Sequence, residues 1–134
     1  MNPKIFTAEE AKAFLPQVSS ALVQLQEKRR RIDLKQVEID LMEIVNVGSA
    51  PVAVGGRQRI DERMSDLNRL ISEYTELFEK IESWGPVVKD VDQGLIDFYH
   101  VKDQQLVFLC WKQGEAQIGY WHDLESGFQG RRVL

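Results

Sequence analysis

The sequence predicts an α+β fold in which a long antiparallel helical hairpin packs on a small C-terminal antiparallel sheet. Three observations carry this. Ile60, Met64, Leu67, Ile71, Tyr74, Phe78 and Ile81 alternate steps of four and three, the a/d seam of a helix that meets a partner. Between Pro16 and Val45 there is neither glycine nor proline, so a second long helix precedes it. After Gly85 the character changes. "LIDFYHV" (95–101), "QLVFLCWK" (105–112) and "QIGYWHD" (117–123) are rich in β-branched and aromatic residues, and turn-like "KDQ" and "QGEA" separate them.

Taken in order, Thr7 with Glu10 three residues on forms a capping box, which starts a helix at Ala8. Pro16 lacks an amide proton and crowds the preceding turn. It predicts a short N-terminal helix ending near Leu15, with Pro16 opening the first long helix. "NVGSAPVAVGG" (46–56) reads as a loop. The second long helix covers Arg57 to Trp84, roughly 42 Å at about 1.5 Å per residue. Gly85–Pro86 stops it. Three sequential strands with short links make a meander, and "PVVKD" (86–90) is a candidate fourth, for a sheet of 3–4 strands. In the middle strand Val107, Leu109 and Trp111 point one way and Leu106, Phe108 and Cys110 the other. Both faces are apolar, so both need cover. Helices suit one face, and the C-terminal "LESGFQGRRVL" suits the other. The expected organisation is a single domain over 1–134, with a helical half (1–85) and a strand half (86–134).

Composition narrows the functional classes. The 134 residues are 43% hydrophobic and 28% charged, with a net charge of −4, ordinary for a soluble globular chain. Acids and bases interleave throughout, which argues against a nucleic-acid partner. Cys110 is the sole cysteine, so no intramolecular disulfide forms and a reducing compartment suits the chain. The opening "MNPKIFTAEEAKAFLP" has no apolar run and is neither a signal nor a transit peptide. The predicted address is the cytoplasm, with no membrane partner. A sheet of this size spans only ~15–20 Å across its strands. The hairpin outruns it, and Leu41, Ile44, Val45, Ile60 and Met64 exceed what one partner helix hides. A second copy joined through a helical bundle, or an unknown protein partner, would bury them.

The densest chemistry lies in "YWHDLESGFQGRR" (120–132). His122 and Glu125 converge if the chain turns after Asp123. Asp97 would join from the next strand but one, and Glu115 from the turn at the sheet's end. A histidine with two or three carboxylates suits zinc, manganese or iron with open positions. His122, Glu125 and Asp97 are therefore the metal candidates. Asp97, Glu115, His122, Glu125 and Arg131 form the candidate functional cluster, with Arg131 as an anion holder. No catalytic residue is assigned, and the only cofactor considered is a divalent metal. Against a metal stands the absence of HxH, HxxxH or CxxC spacing. The simpler expectation is a clamp: His122 hydrogen-bonded to a carboxylate, and Arg131 paired with Asp97 or Glu125. Cys110, mid-strand, reads as a small hydrophobe. "GFQGRR" opens no helix, so it is no phosphate loop. "KRRR" (28–31) is interleaved with acids and reads as a solvated helix face.

Three blocks, "FTAEEAKAFLP" (6–16), "VKDVDQGLIDF" (88–98) and "CWKQGEAQIGYWHDLESGFQGR" (110–131), resemble the prokaryotic domain-of-unknown-function family 2203. With the intervening helices the resemblance spans nearly the whole chain. Asp97, Trp111, Glu115, Trp121, His122, Gly127, Phe128, Gly130 and Arg131 match the family's motif. The resemblance implies where a shared function lies and carries no activity, substrate or cofactor. The functional expectation is a non-enzymatic, homodimeric interaction or scaffold module. The alternative is a small metal-dependent or acid–base enzyme of hydrolase type around His122.

Overall fold

The computed structural model describes residues 3–48 and 56–134, with backbone alone for 46–48. Residues 49–55, the centre of the expected 46–56 loop, lie outside the described residues. Two helices, α1 (Ala8–Gly48) and α2 (Gly56–Ser83), precede five strands. The strands are β1 (Val87–Asp90), β2 (Leu95–Lys102), β3 (Gln105–Lys112), β4 (Tyr120–His122) and β5 (Arg132–Val133). Two compact units divide the chain: Met1–Gln24 with Leu77–Leu134, and Leu25–Glu76. Among the described residues no helix is long and apolar enough to cross a membrane.

In the first unit the capping box forms as the sequence predicts. The Glu10 amide donates to Thr7 Oγ1 and the Thr7 amide to Glu10 Oε1, each at 3.0 Å. The separate short helix does not form, because α1 runs straight through Pro16. Ala11, Leu15, Val18 and Leu22 keep steps of four, three and four across the proline and are all buried. Burying each large apolar side chain contributes roughly 1.5–3 kcal/mol, enough together to outweigh the ~3 kcal/mol that proline costs inside a helix. Pro16 itself is exposed, so the carbonyl that it leaves without a donor can be hydrated.

Residues ahead of α1 tie down β2. The Phe6 amide donates to the Tyr99 carbonyl at 2.7 Å, and His100 Nδ1 lies 2.7 Å from the Phe6 carbonyl. Phe6 stands edge-on to Phe98, with ring centres 5.1 Å apart, and Phe14 packs on Trp84 at 5.8 Å. At the end of α2, Glu82 Oε2 accepts from the Val88 amide at 3.0 Å. Gly85 has φ +113°, and a side chain there would collide with the Phe6 ring at 2.9 Å. Helix end, N-terminal segment and first strand therefore meet at a glycine.

The sheet order is β1-β2-β3-β4-β5, antiparallel throughout. It has five strands where 3–4 were expected. The extra one, β5, pairs Val133 with Tyr120 and Arg132 with Trp121. It is two residues long and exposed, too short for any alternation to show in sequence. The register places Ile96, Phe98, Val107, Leu109 and Trp111 on one face, with Phe6 against it. Leu95, Asp97, Tyr99, Phe108, Cys110 and His122 share the other. Residues Val107 to Trp111 are all buried, as two covered faces require.

In the second unit, two ion pairs set the hairpin's register. Lys28 Nζ lies 3.6 Å from Glu73 and Arg63 Nε 2.8 Å from Glu38. The bridges advance equally along the two helices in opposite directions, as antiparallel packing demands. Leu25, Ile39, Ile60 and Leu67 are buried there. Ile60, expected among the surplus apolar residues, is thus an interior residue. Met64 and Ile71, the alternate seam positions, stay 39% and 42% exposed.

The β2–β3 hairpin turns on Asp103 and Gln104, at φ +50° and +66°. A two-residue loop of this kind favours positive φ at both positions, but a side chain there costs about 1–2 kcal/mol. Gln104→Gly is expected to raise the unfolding free energy by about 1 kcal/mol, read by urea denaturation. A neutral or destabilising result would count against strain at this turn.

Candidate functional site

The covered sheet face opposite Phe98 carries the polar interior. Because the β2–β3 hairpin is closed by two residues, Asp97 falls directly opposite Cys110. On the other side of β3, β4 places His122 opposite Phe108. Side chains of paired residues share a face, so Asp97, Cys110 and His122 gather under one cover. Among the described residues, Asp97 and His122 are the buried polar residues of the core, each 2% exposed.

His122 is held at both nitrogens. Nδ1 lies 2.6 Å from the Asp123 carbonyl, and Nε2 lies 3.0 Å from Asp97 Oδ2. A carbonyl only accepts, so Nδ1 carries a hydrogen. Nε2 is thereby left facing Asp97 Oδ2. Burial pushes the Asp97 carboxyl above the ordinary aspartate range, against the opposing pull of His122, the Cys110 thiol and Lys89. Asp97 Oδ1 is buried without a hydrogen-bond partner among the described residues. Burial, with the Asp97 charge beside it, pushes the Cys110 thiol up to about 12.

The C-terminal segment forms the cover. Asp123 Oδ1 accepts from the Glu125 and Ser126 amides at 3.0 and 2.6 Å, which turns the chain back over the sheet. These bonds hold the Asp123 carboxyl below its ordinary range. Farther on, Arg131 Nη2 lies 2.7 and 2.8 Å from the two Glu115 oxygens. The guanidinium carbon sits 4.0 Å from the Tyr120 ring centre and 4.7 Å from that of Phe128. Glu115 also accepts from the Lys112 amide at 2.7 Å. Between cover and sheet is a cavity of about 200 Å³, lined by Lys89, Asp97, Cys110, His122, Glu125 and Phe128 among others.

The five residues of the expected cluster therefore divide. Asp97 and His122 meet directly. Glu115 and Arg131 form a second pair, which reaches the first through the backbone, where Arg131 Nη2 donates to the Cys110 carbonyl at 3.4 Å. Arg131 thus pairs with Glu115 in place of the expected Asp97 or Glu125. Glu125 is exposed and stands on the cavity wall. Among the described residues, the three donors close enough to share a cation are Asp97, Cys110 and His122, with donor atoms within 4.8 Å of one another. Cys110 is in this group and Glu125 is not. Its position was available from the alternation that puts it on the Phe108 face and from a hairpin closed at Asp103–Gln104. Lys89, the other residue missed, comes from β1, whose pairing with β2 shifts register between Val88 and Asp90. No periodicity reports such a shift.

The chain matches, over residues 4–134, a family described as an uncharacterized conserved protein. It belongs to that family, DUF2203. No curated protein and no solved structure matches it.

Two outcomes follow from this geometry. His122→Ala removes the imidazole partner of the buried Asp97 and should cost about 3 kcal/mol of stability. Asp97→Asn can instead donate to Nε2, so the melting temperature should hold or rise. Its advantage should grow as pH climbs above the ordinary aspartate range. There the folded wild type keeps a proton that the unfolded chain has lost, so wild-type stability falls. Equal losses in both variants would refute this account of the pair. Cys110, buried and with its thiol held up at about 12, should resist alkylation at neutral pH in the folded protein and react fully in denaturant.

Proposed function

We propose that the protein is a homodimeric, cytoplasmic interaction module that associates through α1. One observation carries the reading. Leu34, Val37, Leu41 and Ile44 are spaced three, four and three, and are 56%, 54%, 58% and 67% exposed. They form an apolar stripe on a helix whose Leu25 and Ile39 are buried. A helix that is apolar on two sides requires two partners, and α2 is one.

A second copy offers the matching stripe as the other. Lys28, Arg29, Arg30, Arg31 and Lys35 precede or flank the start of the stripe, with Glu27 and Asp33 paired to the arginines among them. Glu38, Asp40 and Glu43 follow, and residues 36–48 contain no base. Two α1 helices laid antiparallel about a two-fold axis near Ile39 set Leu34 against Ile44 and Val37 against Leu41. The same arrangement sets Lys35 of each copy against Glu43 of the other.

Leu41→Glu tests this in light scattering or sedimentation. Losing about 2 kcal/mol of apolar burial, felt twice across a two-fold interface, should weaken dimerisation roughly a thousandfold. The helical signal should be unchanged. A monomeric wild type, or a Leu41→Glu dimer as tight as wild type, overturns the reading.

A further inference from the structure

Asp97, Cys110 and His122 bring three metal-ligating chemistries to one buried point. A carboxylate oxygen, a sulfur and an imidazole nitrogen lie within 4.8 Å of one another. Each residue is 2% exposed or less. Two further details bear on what the cluster is for. Asp97 Oδ1 has no hydrogen-bond partner among the described residues, and leaving a buried acceptor unmet costs about 1–3 kcal/mol. The His122 contact satisfies only Oδ2. Then there is the 2.6 Å contact from His122 Nδ1 to the Asp123 carbonyl. Metal-bound imidazoles make this outer contact, which fixes the tautomer that leaves the other nitrogen free to ligate. Here that nitrogen is Nε2, the one facing Asp97.

We infer that Asp97, Cys110 and His122 are the ligands of a divalent cation of the zinc class, with a fourth position open to the cavity. The donor set selects the class. Thiolate and imidazole suit zinc and its neighbours, whereas magnesium and calcium take oxygen. A thiolate and a carboxylate together neutralise a divalent charge, which lets the ion sit among buried side chains. Structural zinc sites are closed by four protein ligands, and three with an opening leave room for an exchangeable one. The cavity of about 200 Å³ holds that opening, and Lys89 on its wall favours water or a small anion as the fourth ligand. Glu125 lies on the same wall but outside the ligand set. The site does not depend on the dimer.

The test uses the full chain without a polyhistidine tag, reduced, stripped with chelator and titrated with cobalt(II). One cobalt per chain should bind, with the visible bands of a four-coordinate ion and a thiolate-to-cobalt charge-transfer band. Zinc should bleach both. Cys110→Ser should abolish the charge-transfer band and weaken binding by more than about 100-fold, the upper end of what changes beyond the ligands themselves cost. Circular dichroism of metal-free Cys110→Ser shows whether the fold is kept. Should it not be, His122→Gln carries the same affinity test. No charge-transfer band in the wild type at saturating cobalt overturns the site, as does wild-type affinity in a folded ligand variant.

Discussion

Burial of β3 on both faces is the constraint on which the sheet-bearing unit depends. Antiparallel sheets commonly leave one face to water, and their strands alternate apolar with polar residues. Val107 to Trp111 do not alternate, and all five are buried. One face has Phe6 and its neighbouring aromatic rings against it. The other must be covered by a segment with no helix longer than the single turn at Phe128–Gly130. Such a segment has little apolar surface with which to hold itself down. It is pinned by polar contacts instead: the Asp123 turn, the Glu115–Arg131 pair and the two-residue β5.

That division of labour explains why the charged residues of 120–132 fall into two sets. Arg131 lies among Glu115, Tyr120 and Phe128, where its planar guanidinium can both bridge a carboxylate and stack on rings. It acts as a clasp on the cover. His122 lies beneath the cover, where its two contacts are a carbonyl and a buried carboxylate. A polar cover fills space less completely than a helix does, and the cavity lies on this side of the sheet.

Much of the fold was legible because periodicity and turn chemistry report local structure directly. The seam of α2 and the three main strands declare themselves, and Gly85–Pro86 marks their boundary. Pro16 is an exception, since its local penalty is overridden by the buried stripe from Ala11 to Leu22. At the site, His122 and Asp97 were found together because a meander brings alternate strands within reach. Cys110 was set aside because a mid-strand cysteine resembles its apolar neighbours until register places it opposite an aspartate. The partner of Arg131 was missed for a related reason. Glu115 and Glu125 are alike in sequence, and only the path of the chain after Asp123 separates the clasp from the cavity wall.

The two faces of the sheet differ in a way that packing does not require. Ile96, Phe98, Val107, Leu109 and Trp111 make the buried part of one face from large apolar side chains, with the half-buried His100 at its end. The opposite face includes Leu95, Tyr99 and Phe108, so an apolar lining was open to it as well. Yet it places an aspartate, a cysteine and a histidine side by side at its centre. Buried ionisable pairs are poor stabilisers, and well-packed apolar replacements are often as stable or more so. A chain of this length has limited interior to spend on them. The proposed metal site rests on this asymmetry.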